Sequence, residues 1–310
     1  MAPRIHWTQG TAVSKVTNFV KTAPVVHCGF TGARRTPLLG KILLAFIPFG
    51  AYLITFTFYH DLQKLLGLDE KHVSTAFLPW LEHSLFHCYP HKILSSHTSP
   101  VLDFIAAIPY LFHFILPLVF SLYLIYVGRR HEVPLYLWVA GWVNFIAVLV
   151  QLVSPTASPW FVDSVQYDAN GNIISVADNE AGFKRVDAML GYPLFHNLYG
   201  KSKVTFGAFP SLHVAWPAVV MLFRPWFGYR FGVFHVCWIV WASMYTCHHY
   251  LVDGLAGITL AYIIYTSTMK LYHPFQCERE RDVVAQAEYI PVTAKIPFTD
   301  TCEITMPEKS

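Results

Sequence analysis

Long apolar runs separated by short polar connections set the pattern of this chain. Six runs approach the ~20 residues that carry a helix across a hydrocarbon core: Leu38 to Tyr59, Val101 to Val127, Pro134 to Val153, Leu212 to Trp226, Phe231 to His249 and Val252 to Tyr272. The fourth is short and the second is long. Pro109 and Pro117 are expected to bend the second, which neighbouring helices in a bundle tolerate. The pattern predicts an all-α polytopic membrane protein with a six-helix bundle over 38–272. A polar cytosolic arm (1–37) precedes it, and an aperiodic polar tail (273–310) that reads as disordered follows it.

Composition agrees with the pattern and narrows the function classes. The 310 residues are 54% hydrophobic, 16% aromatic and only 13% charged, where a soluble domain carries roughly a quarter charged. A formal charge of +3, with the basic residues gathered at span ends, excludes a nucleic-acid partner. The six cysteines form no CxxC pair, so neither a zinc motif nor a disulfide framework is legible. No apolar core follows the first residues, which argues against a cleaved signal peptide. The stretch VSKVTNFVKTAPVV reads equally well as a surface-lying amphipathic segment or an unstructured arm. The tail shows no prenylation box or retention signal.

Basic residues of the short connections set the orientation. Arg34, Arg35 and Lys41 precede the first span, Arg129 and Arg130 lie between the second and third, and Arg224 and Arg230 flank the turn between the fourth and fifth. Counting crossings puts all of these on one side, the cytosol. The long loops, 60–100 and 154–211, then lie opposite, and neither contains an Asn-x-Ser/Thr sequon.

The candidate chemistry gathers at the mouths of the last three spans, on the side of the long loops. FGAFPSLHVAWPAVV places His213 just after the Pro210-Ser211 turn, and ASMYTCHHYLVDGLAG places His249 four residues before Asp253. Histidine suits nucleophilic or acid/base work near neutral pH, and a carboxylate one helical turn away can orient it. Ionisable groups in or beside spans are costly and usually functional. Structural collection of polar residues at helix ends is the bland alternative.

These residues also carry a resemblance. PSLH followed by HHYLVDGLAG resembles the last two motifs of the type 2 phosphatidic acid phosphatase superfamily, and FGAFPSLH with MYTCHHYLVD is close to the fungal inositol phosphorylceramide synthases. The likeness extends back through IPYLFHFILP and VQLVSPTASPW, covering about Ser99 to Tyr272. It implies a phosphotransfer enzyme that needs no metal or other cofactor, acting on phosphatidylinositol and a ceramide in the Golgi membrane of a fungal-type cell. The active site would face the lumen. It leaves room for an accessory subunit or a homo-oligomer.

Departures from the superfamily sharpen that implication. Its phosphatases carry a Lys, six residues, then Arg-Pro, where this chain has Gln151, then Ser158-Pro159; their Arg six residues before the nucleophilic His is Ser243 here. Three cations that would clamp phosphate oxygens are replaced by neutral donors. A phosphodiester, with one negative charge, needs less offsetting than a monoester dianion, and the synthases resemble this chain in losing those cations. Lys184, Arg185, Lys201 and Lys203 either add a cationic field or contact a headgroup, or are solvated loop charges.

The mechanism this implies is double displacement. His249 attacks phosphorus with Asp253 on its other ring nitrogen, and His213 serves as acid and then base. On a helix, His248 would point about 100° away from His249 and either lines a headgroup pocket or is structural. Asp103 and His113, on the second span, receive no role. In the 60–100 loop, His83, His87 and His91 recur every four residues beside Cys88, a metal-site spacing that Pro90 should interrupt. LPWLEHSLFH reads better as an interfacial helix with Trp80, Leu81, Leu85 and Phe86 against lipid. The competing functions are a lipid phosphate or prenyl diphosphate phosphatase and a non-enzymatic lipid-binding scaffold.

Overall fold

The computed structural model describes residues 38–68, 73–170, 173–200, 204–223 and 228–271. The expected arm and tail, and Lys201 and Lys203 with them, lie outside the described residues. In chain order the helices are α1 (Leu38–Thr57), α2 (Tyr59–Leu65), α3 (Phe77–Phe86), α4 (Pro90–Ser95), α5 (Pro100–His113), α6 (Leu116–Tyr126), α7 (Val133–Val153), α8 (Pro159–Ser164), α9 (Lys184–Leu190), α10 (Leu194–Tyr199), α11 (Leu212–Leu222), α12 (Tyr229–Tyr245) and α13 (Leu251–Leu271). A two-stranded antiparallel ribbon, β1 (Gln166–Tyr167) and β2 (Ile173–Ser175), projects from the second long loop with its residues exposed.

Helices occupy all six expected positions, but not with equal apolarity or reach. Three segments are long and apolar enough to cross a membrane: Gly40–Thr57, Arg130–Val153 and Leu251–Lys270. The α5–α6 pair makes a fourth if it is taken as one span bent by 68°. Helix α11, with 11 residues, rises only ~16 Å, and α12, with 17, rises ~25 Å. The chain is thus an integral membrane protein by its apolar helices, with three to four full-length span candidates among the described residues.

The bend in the second run falls at one proline and not the other. Pro117 lacks the N–H that would return to the His113 carbonyl, and the helix breaks at Phe114 and Ile115. Pro109 sits inside α5 without ending it. The carbonyl it strands, that of Ile105, accepts a hydrogen bond from Trp238 Nε1 on α12 at 3.1 Å. A neighbouring helix therefore repairs one proline and leaves the other as a joint.

One continuous core joins α5, α6, α7, α11, α12 and α13 around Tyr110, Tyr136, Val139, Val143, Val214, Ala218, Ile239 and Tyr245. Helix α1 lies along α7, where Gly141 leaves no room for a side chain: a Cβ there would stand 2.9 Å from Phe49 N and from Pro48 Cγ. At one end, Arg129 donates to the Phe223 carbonyl at 2.8 Å and pairs with Glu132, bringing the α6–α7 connection to the end of α11. At the other end the long loops close over the bundle. Thr156 bridges to both Ser74 and Gly207, so three distant segments meet as one short parallel ladder.

Helix α3 corrects the interfacial reading in part. Trp80 (63%) and Leu85 (58%) are exposed, but Leu81 and Phe86 pack inward on Leu78, Ala208, Tyr250 and Val252. The helix ends at His87 in the left-handed region (φ 54°), and His91 belongs to the next helix, so the four-residue spacing of the histidines is not stacked on one face.

Candidate active site

The turn before α11 and the turn before α13 are tied to each other. Ser211 N–H donates to the Asp253 carbonyl at 3.0 Å, and Gly257, one turn further along α13, lacks the Cβ that would collide with the Ser211 carbonyl. Close approach of the two helix starts aims His213 at the segment carrying His249. That segment is not helical: α12 ends at Tyr245, and Cys247 takes a left-handed conformation (φ 58°) that costs strain outside glycine. The reversal lets one carbonyl, that of Ser243, accept from both His248 N–H (2.9 Å) and His249 N–H (3.2 Å). The expectation that the fifth run continues to His249, with His248 turned about a helix axis from it, is corrected on this point.

The three expected residues converge. His213 Nδ1 lies 3.1 Å from His249 Nε2, and His249 Nδ1 lies 3.4 Å from Asp253 Oδ2. Asp253 is fully buried, and the same Oδ2 accepts the Tyr250 N–H at 2.9 Å. This reach-back resembles the carboxylate half of a capping box at a helix start. Asp253 thus stands beside the imidazole and holds the backbone that carries it.

Around this row stand aromatic rings the sequence did not flag. Tyr110 and His113 place their rings 4.6 and 4.5 Å from that of His213. Tyr199 brings its hydroxyl to 3.4 Å from His213 Nε2. His113 Nδ1 donates to the Tyr110 carbonyl at 2.7 Å, leaving Nε2 as the acceptor nitrogen. A histidine within the apolar stretch IPYLFHFILP was a legible signal for His113, since such a group is costly unless used. Nothing local distinguished Tyr199, which arrives on α10 from the long loop.

A cavity of about 160 Å³ opens on the row and is lined in part by Gln151, Ser158, Asn179, His213, His248 and His249. No Lys or Arg lines it among the described residues. Gln151 donates through Nε2 to the Gly207 and Pro210 carbonyls, at 3.1 and 3.2 Å, so it also braces the loop before α11. Ser158 precedes α8, and Pro159 begins it. Ser243 lies outside the lining and spends its hydroxyl on the Val240 carbonyl at 2.8 Å. Ser211 is buried and likewise outside the lining. His248 contributes its ring to an aromatic wall with Phe183 and Tyr199, at 5.1 and 5.2 Å.

The two described loop cations, Arg185 and Lys184, are committed elsewhere. Arg185 donates through Nε and a terminal nitrogen to Asp103 Oδ1, at 2.9 and 2.7 Å, and Tyr245 donates to the same oxygen at 2.8 Å. This places Arg185 as a tie between α9 and α5 and gives Asp103 a structural role. Lys184 is exposed and pairs with Asp178 at 3.2 Å. No cluster of three His, Cys, Asp or Glu side chains is placed to hold a metal among the described residues.

A histidine pair backed by a buried carboxylate thus stands at one end of a bundle of helices. The PAP2 superfamily model matches residues 78–267, and the chain belongs to that family. It is similar to the inositol phosphorylceramide synthase catalytic subunits of Schizosaccharomyces pombe (33% identity, 64% of this chain and 47% of the relative) and Saccharomyces cerevisiae (34%, 65% and 51%). It is also similar to the phosphoinositol dihydroceramide synthase of Bacteroides thetaiotaomicron (28%, 71% and 74%). The chain spans about half the length of the fungal relatives it matches. No solved structure shows a significant match.

Proposed function

We propose that this chain transfers a phospho-headgroup from one lipid to another, moving phosphoinositol from phosphatidylinositol to a ceramide. The observation that carries the reading is the His213–His249–Asp253 row, with 3.1 and 3.4 Å contacts, opening on a cavity whose described lining holds no cation. The neutral Gln151 and Ser158 suit a phosphodiester, which brings a single charge, better than a monoester dianion.

Asp253 holds the proton on His249 Nδ1, so Nε2 carries the lone pair that attacks phosphorus. The bond from phosphorus to the diacylglycerol oxygen breaks, and that oxygen takes a proton from His213 in its imidazolium form, leaving phosphoinositol on His249 and His213 neutral. The ceramide hydroxyl then gives its proton to His213 and attacks phosphorus, the nitrogen–phosphorus bond breaks, and both imidazoles return to their starting state. Tyr199 and His113, beside His213, hold its ring for both transfers.

Apolar surroundings suit two lipid substrates. Phe46, Phe49, Tyr52 and Phe56 form a stripe on α1 with successive ring centroids 6.3, 5.7 and 5.8 Å apart. Tyr52 and Phe56 line the candidate active site, while Phe46 and Phe49 line a second cavity of about 270 Å³ between α1, α6 and α7. The polar side chains there, Asn144 and Ser121, make hydrogen bonds within the protein, which leaves a surface suited to hydrocarbon.

The proposal includes a catalytic domain over 38–272 with six crossings, α11 and α12 supplying short ones, and a Golgi membrane with the site on the luminal face. Two relatives are named as catalytic subunits, which is the ground for expecting an accessory subunit here. The test is purified protein with inositol-labelled phosphatidylinositol, with and without ceramide. Labelled inositol phosphorylceramide is expected only when ceramide is present. Release of free inositol phosphate regardless of ceramide would establish a phosphatase instead.

A further inference from the structure

The 60–100 loop brings a carboxylate to the backbone beside His249. Glu82, on α3, is fully buried, and its Oε2 accepts the Leu251 N–H at 2.9 Å. Leu251 is the first residue of α13, two positions after His249 and two before Asp253. The preceding N–H, of Tyr250, is held by Asp253. Two consecutive donors between His249 and Asp253, orphans that a helix start leaves open, are thus each taken by a carboxylate from a different element.

A buried histidine stands behind Glu82. Glu82 Oε1 lies 3.6 Å from His91 Nδ1, and His91, 1% exposed, places Nε2 3.2 Å from Asp163 Oδ2. The His91 ring stands edge-on to that of Tyr250 at 4.9 Å and 89°. Lys92 Nζ closes the row on Asp163 at 2.9 Å. Burial opposes charge on His91, but the hydrogen bonds and charges of Asp163 and Glu82 outweigh it and hold its imidazole above the ordinary value. A fully buried carboxylate is expensive unless it is paired and hydrogen-bonded. Here the pairing runs from the exposed loop to the segment that carries His249.

We propose that Glu82 is a positioning residue: by holding the Leu251 N–H, with His91 bracing both it and Tyr250, it fixes His249 in line with His213 and Asp253. It touches no substrate and acts only through the backbone. The inference deepens the reading above, because it takes His249 as the nucleophile.

The experiment uses the full chain in lipid–detergent micelles, with kcat, KM and melting temperature measured for Glu82→Ala, Glu82→Gln and His91→Gln. Misplacing an aligned group by a fraction of an ångström to an ångström lowers rate more than binding, so Glu82→Ala should lose about tenfold to a hundredfold in kcat at nearly unchanged KM. Glu82→Gln retains an oxygen for the Leu251 N–H and should recover most of that loss. A folded Glu82→Ala enzyme with wild-type kcat, or a Gln variant as slow as the Ala variant, overturns the proposal. Should Glu82→Ala not fold, His91→Gln decides: lower kcat at unchanged KM in the folded variant supports it, and unchanged kcat overturns it. Rates are read on labelled inositol phosphate passed either to ceramide or to water. If wild type uses water alone, the transferase reading falls while the Glu82 test still runs, since both reactions begin at His249.

Discussion

Two histidine-bearing regions invite comparison. In the 60–100 loop, His83, His87 and His91 follow the four-residue period of a metal-binding helix, yet α3 ends at His87, and of the three only His91 is buried. In the other region, His113, His213 and His249 have no common period, yet their rings meet in sequence at 4.5 and 5.3 Å. Regular spacing places groups on one face only while a helix lasts. Convergence of separate helices, each aimed by its own terminus, makes the denser site.

That contrast can be broken at four places. The largest effect belongs to His249→Ala, expected to lower turnover by about a thousandfold or more, as loss of a nucleophile does, with the melting temperature retained. Headgroup transfer by the purified variant measures it, and activity surviving the change would favour a scaffold role. Asp253→Asn comes next. The amide can still accept the Tyr250 N–H, so stability should hold, while imidazole orientation fails and turnover falls by about a hundredfold or more.

The third effect is a pH dependence of stability. His91 is raised above its ordinary 6.5, so its contribution is fully present below that value and is lost as pH climbs through the folded value. Asp163, where burial is outweighed by His91 and Lys92, is lowered from 3.8, and its contribution is lost only as pH falls through that lowered value. Melting curves of the wild type should therefore decline on the alkaline side of 6.5 more steeply than those of His91→Gln. Equal slopes would count against a paired His91. The smallest effect is at His83 and His87. His83→Ala should leave turnover within about twofold, as exposed substitutions do, and His87→Gly, at φ 54°, should add about 0.5 kcal/mol by relieving a left-handed side chain. Thermal unfolding and transfer assays read both.

Much of the site was legible because its chemistry is local in sequence. PSLH and HHYLVD each carry a titratable group beside an apolar run, and the cost of such groups near a membrane marked them. His113 carried the same mark inside its span. Tyr199 and Glu82 did not, because a loop tyrosine and a loop glutamate look alike whether they are solvated or buried. The cation reading failed for Arg185 for a related reason: its partner Asp103 lies 82 positions away, and no local pattern announces so distant a pair.

The sequence by itself determined that the chain is a bundle of apolar helices and which three side chains stand at one end, since hydrophobic run length and residue chemistry are written position by position. Tertiary structure alone decided where helices stop and who repairs them. Pro109 and Pro117 are the same residue in similar company, yet Trp238 satisfies the carbonyl stranded by one, and the chain bends 68° ahead of the other. His249 left its expected helix because the Ser243 carbonyl draws two N–H groups into a reversal. Backbone groups must find partners out of water, and which partner is near enough is a property of the packed fold.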